Sequence, residues 1–318
     1  MASFRHAVGR VPGVRRMRNA LFAAPPAPPA SAPASDAALD QARLEGRLIV
    51  TEYAYHPRSR PIEVSAGGRR LAARFSAEEE RYAEVLRGVA RHAEALLRVP
   101  RAEANPQRPF WANDWFPPFD GIVLYGLLAE RKPVRYVEVG SGISTRFARQ
   151  AIRDLGLSTR IISIDPHPHT AIAANCDEVI QSRMEDMPES FWAGIGPEDM
   201  LFVDNSHRSF PASDVTVFFT EILPALASGT VWGQHDILLP RDYPDAWGYR
   251  FYSEQYLLMA YLLGGAGGDE ILLPVSWATL RPSLHGILGK LWARDDLFAG
   301  VGTHGSSLLD APGLIGGG

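Results

Sequence analysis

Apolar residues along this chain fall into two rhythms. Short runs rich in Val, Ile and Leu end on polar residues and predict strands at 135–139, 160–165, 178–181, 200–204, 230–235 and 270–274. Between them, apolar positions spaced three and four apart predict helices at 145–155, 213–226 and 252–263. Strand and helix alternating at this spacing predict an α/β fold with a doubly wound, mostly parallel sheet.

Upstream the pattern changes. Ser76-Ala-Glu-Glu79 reads as a capping box opening a helix to about Arg98, with Tyr82, Val85, Leu86, Val89, Ala93, Leu96 and Leu97 on one face and Pro100 as its stop. Two β-like runs, Leu48-Ile-Val-Thr-Glu-Tyr53 and Ile62-Glu-Val64, precede it and predict a small ribbon. Asp120 is placed to cap a helix through Glu130. Between these, the aromatic segment Pro109 to Phe119 is read as a core-packing loop or a substrate wall.

The expected organisation has four parts. Residues 1–40 form a disordered basic leader rich in Pro and Ala, and 41–104 an N-terminal extension with a covering helix. Residues 105–310 form the main domain and 311–318 a flexible tail.

Composition removes several function classes. A net charge of -4 over 318 residues gives no electrostatic reason to expect nucleic acid. No apolar run approaches the ~18–20 residues that span a bilayer, so neither membrane nor nucleic-acid partners are expected and a cytoplasmic location is. With one cysteine, Cys176, neither an internal disulfide nor a cysteine-based zinc site is available.

The candidate chemistry centres on Tyr136-Val-Glu-Val-Gly-Ser-Gly-Ile-Ser-Thr145, a strand, glycine turn and helix start. Gly140 and Gly142 permit a tight turn and close approach of a ligand, and Ser144 or Thr145 is placed to cap the helix. A nicotinamide fingerprint would need a third glycine where Thr145 stands. Other strands end on Asp165, on Asp204 and on His235-Asp236. Carboxyl ends of parallel strands share one crevice, so these side chains are expected to converge with Glu138.

The pattern Glu-x-Gly-x-Gly-x-Ser resembles motif I of class I S-adenosylmethionine-dependent methyltransferases. The resemblance implies a Rossmann-like sheet, with Glu138, Gly140, Ser141, Gly142 and Ser144 around the methyl donor. It also implies Asp165 on its ribose, and Met184 with Glu185 or Asp186 beside its adenine. The segments Asn113–Phe116, Asp204–Phe210, Ser213–Pro224, Gly229–Pro244 and Tyr252–Leu258 are together similar to a bacterial branch of these enzymes over roughly residues 110–275. The chain departs from that branch at Trp232-Gly-Gln234 and at Gly305-Ser-Ser-Leu-Leu309, on the substrate rim and the closing strand.

Related antibiotic- and sugar-tailoring O-methyltransferases imply a divalent-cation site from Asp204, His235 and Asp236. Oxygen ligands favour Mg²⁺, while an imidazole moves preference toward transition metals. His207 is the candidate general base, with Asp204 its catalytic partner, because imidazole titrates near neutrality. Arg208 is a candidate partner for a substrate carboxylate or for Asp214, and His167 and His169 are read as loop residues beside the adenosine. The expected activity is O-methylation of a small molecule or sugar. The alternatives are a non-catalytic S-adenosylmethionine-binding protein and a nicotinamide-dependent oxidoreductase.

Overall fold

The computed structural model describes residues 36–46 and 48–312; the basic and Pro/Ala-rich stretch up to residue 35 lies outside them, as do residues 313–318. Seven strands form one sheet: β1 (Arg135–Val139), β2 (Arg160–Ile164), β3 (Glu178–Ile180), β4 (Asp199–Val203), β5 (Val231–Gln234), β6 (Asp269–Pro274) and β7 (Leu308–Pro312). Their spatial order is β3-β2-β1-β4-β5-β7-β6. The first five pair in parallel, and β7 runs antiparallel to both β5 and β6. The classic dinucleotide order, 3-2-1-4-5-6, is thus interrupted by an inserted antiparallel strand. Each predicted strand lies within a residue or so of its observed bounds.

The helices are α1 (Asp36–Leu44), α2 (Ala66–Ala77), α3 (Glu79–Ala90), α4 (Pro118–Arg131), α5 (Ile143–Leu155) and α6 (Glu254–Leu263), with several single turns besides. The predicted helix at 213–226 is three pieces, with a π turn at Phe218–Ile222 in the middle. No helix of the described residues is long and apolar enough to cross a membrane.

Three expectations about the part before β1 are corrected. The ribbon at 48–53 and 62–64 is absent: residues 48–53 form no strand, with Ile49, Val50 and Tyr53 exposed, and Ile62–Val64 is one 3₁₀ turn. β-branched residues without a partner strand do not make a sheet. The helix predicted over 76–98 is broken at Glu78, and the cap lies earlier, where the Ser65 hydroxyl accepts the Gly68 N–H at 3.0 Å. Gly67 and Gly68 lie inside α2; a Cβ on Gly68 would sit 1.9 Å from the Ile62 carbonyl, so close contact requires the glycine. Helix α1 also overlaps the last residues of the expected leader. Finally, Asp120 is not a cap. It lies inside α4, buried, and accepts the Ser306 and Ser307 N–H groups at 2.8 and 2.9 Å, which ties α4 to the approach of β7.

The core fills both faces of the sheet. Phe147 and Ile152 of α5, Phe202 of β4 and Trp232 of β5 are buried together with Ile122, Tyr125 and Leu128 of α4. From the aromatic segment, Trp111, Phe116 and Phe119 are buried while Trp115 stands exposed. Three of the segment's five aromatic rings are therefore core.

The turn after β1 abuts the end of β4. Gly140 has φ +77°, and a Cβ there would lie 2.0 Å from the Asp204 carbonyl oxygen. Both the left-handed conformation and the contact exclude a side chain. Gly140→Ala is expected to cost at least about 2 kcal/mol in urea unfolding. A loss under about 0.5 kcal/mol would contradict this packing.

Candidate active site

The sheet order changes direction between β1 and β4, and the crevice outside such a switch point is where doubly wound folds bind ligands. On one side lie the turns after β1, β2 and β3. On the other lie those after β4 and β5, backed by the approach of β7.

On the first side, Glu138 is fully buried rather than facing the crevice. Tyr136 donates its hydroxyl to Oε1 at 2.8 Å, and Thr145 donates its hydroxyl to Oε2. The Thr145 oxygen in turn accepts the Gly142 N–H at 2.9 Å. The helix cap is thus Gly142, with Thr145 reaching back from the third helical position, and Ser144 is buried in the first turn. Glu138 holds the glycine turn in shape from beneath. Thr145 occupies the place of the missing glycine with a side chain already committed to that turn.

Asp165 follows β2. Its Oδ2 accepts both the N–H and the hydroxyl of Ser141, at 3.0 and 2.8 Å, and its Oδ1 accepts the His167 N–H at 2.7 Å. A carboxylate has about four acceptor sites, so Oδ1 retains one for a further donor. A Cβ on Gly142 would meet nothing within 4 Å, leaving the turn open to a ligand. Past β3, Met184 is buried, Glu185 is half-buried near Arg183, and Asp186 accepts from Arg183 at 3.0 Å. His167 and His169 are exposed, and the His169 ring accepts the Ala171 N–H.

The second side is a dense charged cluster. Asp204 Oδ1 lies 3.2 Å from His207 Nε2 and 3.3 Å from His235 Nδ1. One ligand atom from each of Asp204, His207 and His235 falls within 4.8 Å of the others. Asp236 stands just outside this set, 3.8 Å from each imidazole. Phe116 packs 5.1 Å from the His235 ring, so one residue of the aromatic segment does wall the site.

Two residues of the cluster adopt left-handed backbone conformations, His207 at φ +59° and Asp236 at φ +52°. Such positions cost of order 1–3 kcal/mol each and persist only where the surroundings impose them. For His207 the cause is visible. Its carbonyl accepts the Ser253 and Glu254 N–H groups at 2.8 and 3.2 Å, at the start of α6. Glu254 returns a side-chain oxygen to His207 Nδ1 at 2.8 Å and accepts Gln234 Nε2 at 2.8 Å on the other.

Glu254 and Gln234 are fully buried, and neither is a sequence-predicted site residue. The available signal was a Glu-Gln pair opening an otherwise apolar helix. Asp120, likewise unexpected here, stands 3.8 Å from His235 Nε2. Arg208 does not pair with Asp214 as expected. Its Nε donates to the Arg250 carbonyl at 2.8 Å, while Asp214 accepts from the N–H and hydroxyl of Ser206.

Burial would raise the Asp204 carboxyl, but the charge of His235 and the hydrogen bond from His207 hold it well below the usual range. Burial lowers both imidazoles, and their acidic neighbours overcome this. His207 rises well above its ordinary value through Asp204 and Glu254, and His235 rises to about 9 through Asp204 and Asp236. Burial raises Glu254 and Asp120. Both imidazoles thus hold a proton more tightly than a free imidazole does.

Residues 137–237 match a family model described as a methyltransferase domain. That segment is thus similar to a methyltransferase domain, and it lies on the parallel part of the sheet. The matched segment runs from within β1 to just past β5 and takes in the Gly140 turn and the Asp204 cluster. None of the curated proteins matches the chain in sequence.

Among solved structures, the methyltransferase MycE of the mycinamycin biosynthetic pathway, in complex with Mg and SAH, is similar at 21% identity and a TM-score of 0.27. That match takes in 35% of this chain and 29% of MycE, so the chain spans under a third of that protein. The plantazolicin methyltransferase BpumL, in complex with SAH, is similar at 14% identity and a TM-score of 0.37, over 79% of this chain and 90% of its own. An O-methyltransferase from Bacillus cereus, in complex with SAH, gives 14% identity and a TM-score of 0.33, over 72% and 90%. The likeness to a methyltransferase domain rests on the matched segment, 137–237.

The buried Glu138 gives a direct check on the first side of the crevice. Burial pushes its carboxyl up to about 7, against opposing hydrogen bonds from Thr145, Ser144 and Tyr136. A carboxyl raised above its unfolded value of about 4.3 stabilises the fold fully only below that value, and loses the contribution as pH rises through its folded pKa. The difference in urea midpoint between wild type and Glu138→Gln should therefore shift against the wild type from about pH 4.3 to about pH 7. A difference constant across that window would show that Glu138 is not raised.

Proposed function

We propose that this protein transfers a methyl group from S-adenosylmethionine to an oxygen of a small-molecule acceptor, assisted by a divalent cation. The observation that carries the reading is the convergence of Asp204, His207 and His235 directly beside the Gly140 turn.

The chain's residues fit the methyl donor. The open turn at Gly142 and the spare acceptor site on Asp165 Oδ1 suit an amino acid and a ribose hydroxyl. Glu185 is left half-buried at the mouth of β3 for an adenine amino group. Glu138 acts on the donor through the turn that it shapes. Thr145, fully buried between Gly142 and Glu138, stands where a nicotinamide fingerprint has its third glycine, which disfavours the oxidoreductase.

The second cluster fits a cation. Its three donors converge, and each imidazole has a carboxylate behind it, Glu254 behind His207 and Asp120 near His235. Carboxylate-backed imidazoles are the usual second shell of a metal site. Two imidazoles and one carboxylate favour a transition metal over Mg²⁺. This set replaces Asp236 of the expected ligands with His207. A bound cation would supply acidity, lowering the pKa of the acceptor hydroxyl.

His207 Nε2 cannot be a ligand and a base at once, and its convergence with Asp204 and His235 favours the ligand role. Asp236, outside the donor set and 3.8 Å from both rings, is the residue placed to take the acceptor proton. In the transfer, the acceptor oxygen forms a bond to the methyl carbon while the carbon–sulfur bond breaks, and the electron pair returns to sulfur. General-base help is worth ~10²–10⁴-fold, and holding oxygen, carbon and sulfur in line contributes further.

Calorimetric titration with S-adenosylhomocysteine should show binding to wild type and to Asp204→Ala, and at least tenfold weaker binding to Asp165→Ala. Methyl transfer should fall by about 10²-fold or more in Asp204→Ala. It should also be lost on chelation and return with Mn²⁺ or Zn²⁺. Binding of NAD(H) with no response to S-adenosylhomocysteine would overturn the proposal, and activity unaffected by a strong chelator would overturn its metal component.

A further inference from the structure

We infer that Thr145 and an ionised Glu138 are positioning residues for the methyl donor: together they hold the Gly142 turn in its binding shape, so donor affinity follows the charge on Glu138. The inference rests on the methyltransferase reading above and adds a control on that same site.

The three N–H groups of the turn have separate anchors. Gly140 donates to the Ile164 carbonyl at 3.0 Å, Ser141 to Asp165 at 3.0 Å and Gly142 to the Thr145 hydroxyl at 2.9 Å. The first anchor is backbone, and the second stands at the crevice. The third is relayed inward. Thr145 gives its own hydrogen to Glu138 Oε2, and Tyr136 gives its hydrogen to Oε1 at 2.8 Å. Glu138, Thr145 and Tyr136 are all fully buried. On its open side Gly142 has no neighbour within 4 Å of where a Cβ would stand, so the Thr145 bond is its support from beneath.

A hydroxyl has one hydrogen, and an ionised carboxyl only accepts. With Glu138 ionised, every hydrogen of this chain has an acceptor, from the Gly142 N–H through Thr145 to the carboxylate. A protonated Glu138 brings one more hydrogen into a space whose two facing groups already donate. One of the two hydroxyls must then turn its hydrogen away. The bond that the other keeps is to a neutral group, roughly half as strong as one to a carboxylate.

The groups around Glu138 keep their charge while it changes. From β1, burial and the Glu138 charge raise Tyr136 well above its ordinary value. From the stretch before β3, burial pushes Cys176 up to about 12. Past β4, Asp204 is held well below the usual carboxylate range. Helix α5 presents Ser144 and Thr145, which do not ionise. Glu138 itself, pushed by burial up to about 7, is the group that changes charge near neutrality.

The test is calorimetric titration of the full-length protein with S-adenosylhomocysteine on both sides of neutrality, in buffers of low and of high ionisation heat. Apparent affinity falls with the fraction of protein in the competent, ionised form, so wild type should bind about tenfold more weakly at about pH 6 than at about pH 8. A ligand that favours the ionised form expels the proton, so binding at about pH 6 should release close to one proton, and at about pH 8 almost none. Glu138→Gln and Thr145→Val should bind weakly at both pH values, without the step or the proton. Thr145→Ser, which keeps the hydroxyl, should retain both. Near-ultraviolet circular dichroism reports whether each variant folds, and the wild-type proton release needs no variant. Wild-type binding that is level across the range or releases no proton would overturn the inference. So would a step that survives in Glu138→Gln or Thr145→Val, or one that is lost in Thr145→Ser. Failure of the wild type to bind S-adenosylhomocysteine at either pH would instead overturn the proposed function.

Discussion

The Asp204 carbonyl sits where a side chain on residue 140 would begin. β1 and β4 pair directly, Val139 beside Val203, and this contact carries the pairing on into the turn at the switch point of the sheet. It joins two half-sites that are 64 residues apart in sequence and neighbours in the sheet. The turn is shaped from below by Glu138 and Thr145, and the end of β4 carries the carboxylate shared by two imidazoles. A shift of the turn would therefore move the methyl-donor side and the acceptor side together. Methyl transfer needs oxygen, carbon and sulfur in one line, so a rigid contact between the halves has an evident use.

Charge balance organises the second half. Asp204, Asp236, Glu254 and Asp120 surround His207 and His235 in a space largely closed to water. Four carboxyls cannot all ionise there unless cations accompany them. Protonated imidazoles satisfy the balance when nothing is bound, which is why both rise in pKa. A divalent ion would satisfy it with neutral imidazoles, and protons would leave as it entered. The left-handed conformations of His207 and Asp236 belong to the same constraint, since they turn two successive strand ends into one cluster.

The sheet was legible because its strands are written locally, as β-branched runs closed by Asp165, Asp204 or His235. The members of the cluster were legible for the same reason, as polar residues at strand ends. What each side chain does was less so. Glu138 looked like a ligand-facing acid, yet alternation along a strand does not reveal that Tyr136 and Thr145 already occupy both of its oxygens. Asp120 read as a cap because Asp near a helix start usually is one, but its partners Ser306 and Ser307 lie near the far end of the chain. Glu254 escaped notice because an acid in the first turn of a helix has a ready explanation in the helix dipole. Around residues 48–77 the local signals misled outright. Val50 and Tyr53 suit a strand that has no neighbour, and Gly67-Gly68 suit a turn where the real demand is close contact with the Ile62 carbonyl.

Gln234 acquires a meaning from Glu254, whose side chain accepts its amide at 2.8 Å. An aliphatic residue at 234 would leave one Glu254 oxygen buried without its donor, at a cost of about 1–3 kcal/mol. A histidine there could donate, but it would add a second titrating group beside His207. Glutamine donates without a charge of its own, so the bond to Glu254 adds no titrating group beside His207. Position 234 thus lies at the root of the cluster, and the chemistry of the His207 ring follows from a residue that never reaches the crevice.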